Sequence, residues 1–182
     1  MGTSDEKSAL RTRYRLERNE NYIEHSFEYL ATIPEFEKSE VIASYMSYGD
    51  EPDTDRLNAA LIAAGKTVLL PRIHGEAIDW VRWDGNSENL QQTKKILEPK
   101  GETFADIGKI ELVVVPALRI DRSGYRLGQG GGYYDRELPK LAAWSIGLVH
   151  EGELTSEALP REPWDFPLFA AATPKEVLRF NL

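Results

Sequence analysis

Cysteine is absent from this 182-residue sequence, and several chemistries are absent with it. No disulfide framework, zinc–thiolate site, iron–sulfur cluster or cysteine nucleophile can be built from these residues. Long apolar runs are also missing, since nothing approaches the roughly 20 consecutive apolar residues that span a bilayer. Residues 1–18 mix Asp5, Glu6, Lys7, Arg11, Arg13 and Arg15 with few apolar side chains, so they lack the hydrophobic stretch of a secretory signal. A cytoplasmic address is expected. Histidine is scarce, and His25, His74 and His150 show no pairing with an acid or a nucleophile that would assign them a role.

Positive charge is in short supply as well. The 30 acidic residues outnumber the 22 Lys and Arg, leaving a net charge of −8, a surface that repels nucleic acid. An anionic small molecule can bind such a protein only where cations and backbone N–H groups are concentrated locally. No nucleic-acid or membrane partner is expected; a monomer is the expected state, with a dimer left open.

What is present points to an ordered core. Four Trp, eight Tyr and six Phe place the chain outside the disordered class. Its length suits one domain, residues 1–182, large enough to bury a core without metals or disulfides. Leu10, Tyr14, Tyr22, Ile23, Phe27 and Leu30 recur at helical spacings among charged residues, and Pro34 is expected to close that region. Val41 to Met46 reads as a buried strand. Residues 49–54 form a turn, and Asp53 or Thr54 caps a helix that runs to Ala64. Thr67 to Leu70 is the next strand, stopped by Pro71, and residues 78–83 alternate as another. Residues 84–107 are polar, with scattered Gly and Pro, and read as irregular. Residues 111–115 form the clearest strand, with later ones at 144–149 and 170–173. Strands alternating with helices imply a mainly parallel sheet covered on both faces, in a three-layer αβα arrangement. Ligands in such folds bind beyond the carboxyl ends of the strands.

The most informative segment follows the clearest strand. Gly128, Gly130, Gly131 and Gly132 stand between Arg126 and Arg136, just before a short helix. Glycine permits positive φ and close approach of a ligand to the amides. A helix N-terminus adds unpaired N–H donors for phosphate, and arginine's planar fork suits phosphate oxygens. Asp135 sits among these groups and could hold Mg²⁺ together with phosphate oxygens and water. The run is neither a P-loop, which needs Gly-Lys-Ser/Thr, nor a dinucleotide fingerprint, which needs Gly where Tyr133 stands. A plain glycine-rich surface turn is the bland alternative.

These residues also carry a resemblance. Arg126-Leu-Gly-Gln-Gly-Gly-Gly-Tyr-Tyr-Asp-Arg136, after Val-Val-Val-Pro116, resembles the signature of the 5-formyltetrahydrofolate cyclo-ligase family. Lys7 to Arg11, Tyr45 to Thr54, Gly65 to Arg72, Leu97-Glu-Pro99, Ile146-Gly-Leu148, and Leu159-Pro160 followed by Asp165 are similar to further family segments, in the same order. The resemblance implies an α/β fold of the NagB/RpiA/CoA-transferase-like kind. It implies an enzyme that uses ATP and Mg²⁺ to cyclise 5-formyltetrahydrofolate to 5,10-methenyltetrahydrofolate. By matching position, Lys7, Arg11 and Arg126, Leu127, Gly128, Gln129, Gly130, Gly131, Gly132, Tyr133 and Tyr134 would bind ATP. Arg126, Tyr133 and Tyr134 would act in catalysis, and Met46 and Glu51, with Gln129 to Tyr133, would contact the folate. Asp135 and Asp165 would hold the metal.

The pattern also departs from the family. Trp164 stands where the family often has His, and residues 84–98 lack the aromatic that commonly precedes the Ile-x-Glu-Pro motif; Lys94 and Lys95 stand nearby instead. Trp80 and Trp83 are candidates to stack on a pterin, although aromatic residues in a strand more often pack. Glu151 and Glu153 read as surface charge. Two other readings remain at this level. One is a sugar-phosphate isomerase or CoA transferase, which would need no ATP. The other is a non-catalytic binding or regulatory relative in thiamine or folate metabolism.

Overall fold

Side chains that alternate between two faces along the central strands set the architecture of the computed structural model, which describes residues 2–181. The elements in chain order are α1 (Thr3–Asn21), a 3₁₀ turn at Glu28–Thr32, α2 (Pro34–Lys38), β1 (Val41–Ala43) and α3 (Asp55–Ala63). Then come β2 (Thr67–His74), β3 (Ala77–Trp83), β4 (Leu90–Thr93), β5 (Ile96–Pro99) and β6 (Leu112–Pro116). After them follow β7 (Arg119–Asp121), β8 (Arg126–Leu127), α4 (Tyr133–Glu137), β9 (Trp144–Leu148), β10 (Leu154–Thr155), β11 (Ala170–Ala172) and β12 (Val177–Arg179).

Seven strands form one sheet in the order β12-β11-β9-β6-β1-β2-β3. The five inner strands run parallel, and antiparallel β12 and β3 close the two edges. Because parallel strands are covered on both faces, they read as continuous apolar runs. In β6, Leu112 and Val114 join Phe27, Leu30, Phe36, Leu57 and Leu61 on one face. Val113 and Val115 join Trp80, Leu138, Leu141 and Leu168 on the other. All four β6 positions have no exposed surface. Helix α1 packs apart from both layers, in a smaller cluster of Tyr14, Leu118, Leu127 and Leu159.

The structure corrects several sequence expectations. Pro34 opens α2 at its first turn, where a missing N–H is harmless. The strand expected over residues 41–46 stops at Ala43. Pro71 does not stop β2, which continues to His74. The Ser44 N–H donates to the Leu69 carbonyl at 2.8 Å, so Leu69, Pro71 and Ile73 present their main-chain groups to the β1 side. Since β1 has ended there, Pro71 has no strand partner to lose. Residues 84–107 are not wholly irregular, because β4 and β5 pair as an antiparallel hairpin in the register Leu90↔Pro99 to Thr93↔Ile96.

Candidate active site

A cleft of about 400 Å³ opens beyond the carboxyl ends of the parallel strands. Pro116 ends β6 there, Tyr45 and Met46 follow β1, and Pro71 and Ile73 lie on the part of β2 that outruns its neighbour. This is the edge where α/β sheets place their ligands.

One half of the cleft is cationic and rich in main-chain amides. Helix α1 presents Lys7, Arg11, Arg15 and Arg18 along one stripe, at spacings of four, four and three residues. Arg11 Nε donates to the Gly128 carbonyl at 2.9 Å, and Arg15 donates to both the side-chain and main-chain oxygens of Gln129 at 2.8 Å. Two rungs of the helix thus hold the glycine loop against it. Burial and the neighbouring Arg15 charge lower the Arg11 pKa. Gly132 caps the start of α4 at φ 68°, a left-handed conformation that favours glycine. Because α4 has only five residues, the amides of the loop itself, rather than a helix dipole, are the groups that could receive an anion. Arg136 donates to the Glu76 and Gly131 carbonyls and stacks on Tyr133, so it braces the wall.

Arg126 enters from β8 with a side chain only 5% exposed. Its Nη2 donates to Asp135 Oδ1 at 3.0 Å, and its guanidinium lies 5.6 Å from the Tyr134 ring centre. Its Nε is buried with no hydrogen-bond partner among the described residues. Such an orphaned donor is rare in folded proteins. Lys7 is likewise drawn in and faces Asp165 and Glu162.

Asp135 and Asp165, the two carboxylates expected at a metal, line the same cleft. Among the described residues, no three His, Asp or Glu side chains converge to form a metal cage. Two carboxylates suit Mg²⁺, which commonly takes only one or two protein oxygens and completes its shell with phosphate and water. The donor set therefore fits an ion that arrives on a polyphosphate.

The other half is largely apolar, lined by Met46, Ile73, Ile78, Ile96 and Leu97. Glu51 lies within it, 9% exposed, with Oε2 accepting the Tyr48 N–H at 3.1 Å. Burial pushes its carboxyl up to about 7, against the pull of that hydrogen bond and of Arg18. Burial raises the Tyr45 and Tyr134 hydroxyls too, keeping them protonated as donors at neutral pH.

Every residue expected at the ligands lines this cleft except Leu127, whose side chain packs with Tyr14 and Leu159 in the small α1 cluster. Trp80 is fully buried, donating to Glu137 at 3.1 Å, and Trp83 packs against the core; neither reaches the cleft. Trp164 does reach it and is 64% exposed. Glu153 is not surface charge: it forms a buried pair with Arg18 at 2.7 Å. His74 lies 3.5 Å from Asp79 on the surface, and His150 Nε2 donates to the Asp50 carbonyl at 2.8 Å beside the Glu51 turn. Sequence reasoning missed Glu162, Glu98 and Tyr45 in the cleft and Arg15 behind the loop. Arg15 carried a usable signal in its four-residue spacing from Arg11, Tyr45 and Glu98 stand in segments that resemble the family's, and Glu162 carried none.

A cleft that joins cations and glycine-loop amides to an apolar half-pocket with a buried carboxylate suits an enzyme of the α/β class that acts on small molecules. The 5-formyltetrahydrofolate cyclo-ligase family matches residues 4–174, nearly the whole length, and the chain belongs to that family. It is, with that family, a ligase of folate metabolism. The 5-formyltetrahydrofolate cyclo-ligase of Escherichia coli K12 is 33% identical over 157 residues, covering 81% of this chain and 85% of that protein. The enzyme of the same name from Mycolicibacterium smegmatis is 34% identical over 143 residues, covering 74% and 73%. The solution structure of Aquifex aeolicus 5,10-methenyltetrahydrofolate synthetase superposes with a TM-score of 0.79 at 31% identity, over 95% of this chain and 92% of that one.

Proposed function

We propose that this protein uses ATP and Mg²⁺ to convert 5-formyltetrahydrofolate to 5,10-methenyltetrahydrofolate, releasing ADP and phosphate. One observation carries the reading: the loop of residues 128–132 with Lys7, Arg11 and Arg126, and the apolar pocket with Glu51, share a single cleft. A phosphoryl donor and a heterocyclic acceptor bound there would meet without crossing water.

In this reading the formyl oxygen attacks the γ-phosphorus and ADP leaves. The N10 amine then adds to the formyl carbon and loses its proton, and phosphate departs with the former formyl oxygen. Little covalent work falls to the protein, so positioning and charge neutralisation dominate. Lys7, Arg11 and Arg126 neutralise the phosphates, and the amides of residues 128–132 hold their oxygens. Asp135 and Asp165 would hold Mg²⁺, which would neutralise charge on the transferred group. Tyr133 and Tyr134, which line the same wall, would donate their hydroxyls to the reacting oxygen. Met46 and Glu51 take the pterin, the carboxylate accepting from its ring N–H groups. A cytoplasmic monomer accords with these substrates.

The test is to mix the protein with 5-formyltetrahydrofolate and Mg-ATP and follow the near-ultraviolet absorbance of the methenyl product. Growth of that band, dependent on both ATP and Mg²⁺ and abolished in Asp135→Ala, is the expected result. No band from a folded protein that binds ATP overturns the proposal.

A further inference from the structure

The hairpin of β4 and β5 carries a second buried carboxylate. Glu98 is 4% exposed and forms part of the cleft wall. Its Oε1 accepts the Ile73 N–H at 3.0 Å, one of the main-chain groups left without a strand partner where β2 outruns β1. That is its one hydrogen bond among the described residues, and no Lys, Arg or His there pairs with it. Oε2 has no hydrogen-bond partner among the described residues, in a side chain that lines the cleft.

Accepting one amide requires no charge, since an amide oxygen would serve. A carboxylate withdrawn from water without a cation is costly to keep. What it adds over an amide is a second acceptor oxygen in the cleft wall. Glu51 is built the same way on another element, with one oxygen on the Tyr48 N–H and the other free. A reduced pterin carries N–H donors on more than one side of its ring, more than one carboxylate reaches.

We propose that Glu98 is a second substrate carboxylate, sharing the donors of the reduced pterin with Glu51 while Ile73 and Leu97 pack beside the ring. This rests on the folate reading above. Charged acceptors of this kind distinguish a ligand that has the donor from one that lacks it, because an unfilled site leaves a buried polar group unpaired.

Glu98→Gln tests it, because the amide keeps an oxygen for Ile73 while turning the open acceptor into a donor. KM for 5-formyltetrahydrofolate is expected to rise about tenfold or more, with kcat and Mg-ATP affinity within about threefold and Tm unchanged or higher. In Glu51→Gln/Glu98→Gln the two increases should multiply. A KM within twofold of the parent overturns the assignment, as does a double variant no worse than Glu51→Gln alone. An equal loss of Mg-ATP affinity would mark a disturbed hairpin and also overturn it. A parent that neither binds nor turns over 5-formyltetrahydrofolate overturns both readings; an active parent with an unaltered Glu98→Gln overturns this one alone.

Discussion

Lys7 Nζ lies 2.5 Å from Asp165 Oδ2, and Glu162 Oε2 lies 2.9 Å away on the same ammonium. With Arg126 held by Asp135, two of the cleft's cations are neutralised by acids before any ligand arrives. A polyphosphate must exchange these partners, and the exchange releases the two carboxylates proposed to hold Mg²⁺. Nucleotide and metal should therefore bind together. Titration calorimetry is expected to show negligible heat for Mg²⁺ alone up to millimolar concentrations, weak binding of ATP with EDTA, and at least about tenfold tighter binding of Mg-ATP.

Lys7→Gln leaves Glu162 and Asp165 facing each other without a cation. Stability should fall by about 3 kcal/mol, as for a broken buried pair, and KM for Mg-ATP should rise at least tenfold while that for the folate changes little. Lys7→Arg, which retains the charge, should recover most of the stability. Urea denaturation and steady-state kinetics below the transition check both parts.

Glu51 gives a pH signature. Its carboxyl titrates near 7 in the folded chain and near 4.5 when free of it. Between these values the folded state holds a proton that the unfolded state has lost, so stability falls as pH rises through this window. The gap is worth about 3 kcal/mol at 1.36 kcal/mol per pH unit. Glu51→Gln should match the parent below pH 4.5 and exceed its stability by up to about that amount above pH 7, yet bind the folate more weakly. Urea denaturation at pH 5 and pH 8 reads the first effect; KM reads the second.

Gly128 sits against the Arg126 guanidinium, and a Cβ there would overlap Arg126 Nη1. Gly128→Ala is expected to displace the arginine and lower kcat about tenfold to a hundredfold, with KM for the folate nearly unchanged. Single-turnover measurements with saturating Mg-ATP separate this from weaker binding.

The Arg18–Glu153 pair is 1% and 6% exposed, and Glu153 also accepts the His150 N–H at 2.7 Å. Arg18→Met leaves an uncompensated buried carboxylate and should cost about 3–5 kcal/mol in chemical denaturation.

The parallel sheet was legible because strands buried on both faces leave an unbroken apolar signal, as in residues 112–115, and the glycine loop because few other functions require four glycines in five residues. The β4–β5 hairpin was not, since its strands are four residues each, with exposed Gln91, Gln92 and Thr93 in one, exposed Ile96 and Leu97 in the other, and no alternation to betray them. Pro71 misled because the rule that proline ends a strand assumes a neighbour on both sides. Glu153 was read as surface charge because its partner, Arg18, lies 135 residues earlier in the chain. Glu98 stood in the family-like Leu97-Glu-Pro99 segment, but its burial and its hydrogen bond from the Ile73 N–H, 25 residues away, could not be read there.

The grip of α1 on the cleft joins residues far apart along the chain: Lys7 meets its acidic partners 155 and 158 positions later. During synthesis the helix leaves the ribosome long before either partner exists. Its basic stripe must remain without its acidic partners until more than four-fifths of the polypeptide has emerged. Assembly of the proposed nucleotide site is therefore a late event, and a nascent chain stalled before residue 162 would lack β11 and β12 at one side of the sheet as well as both acidic partners of Lys7.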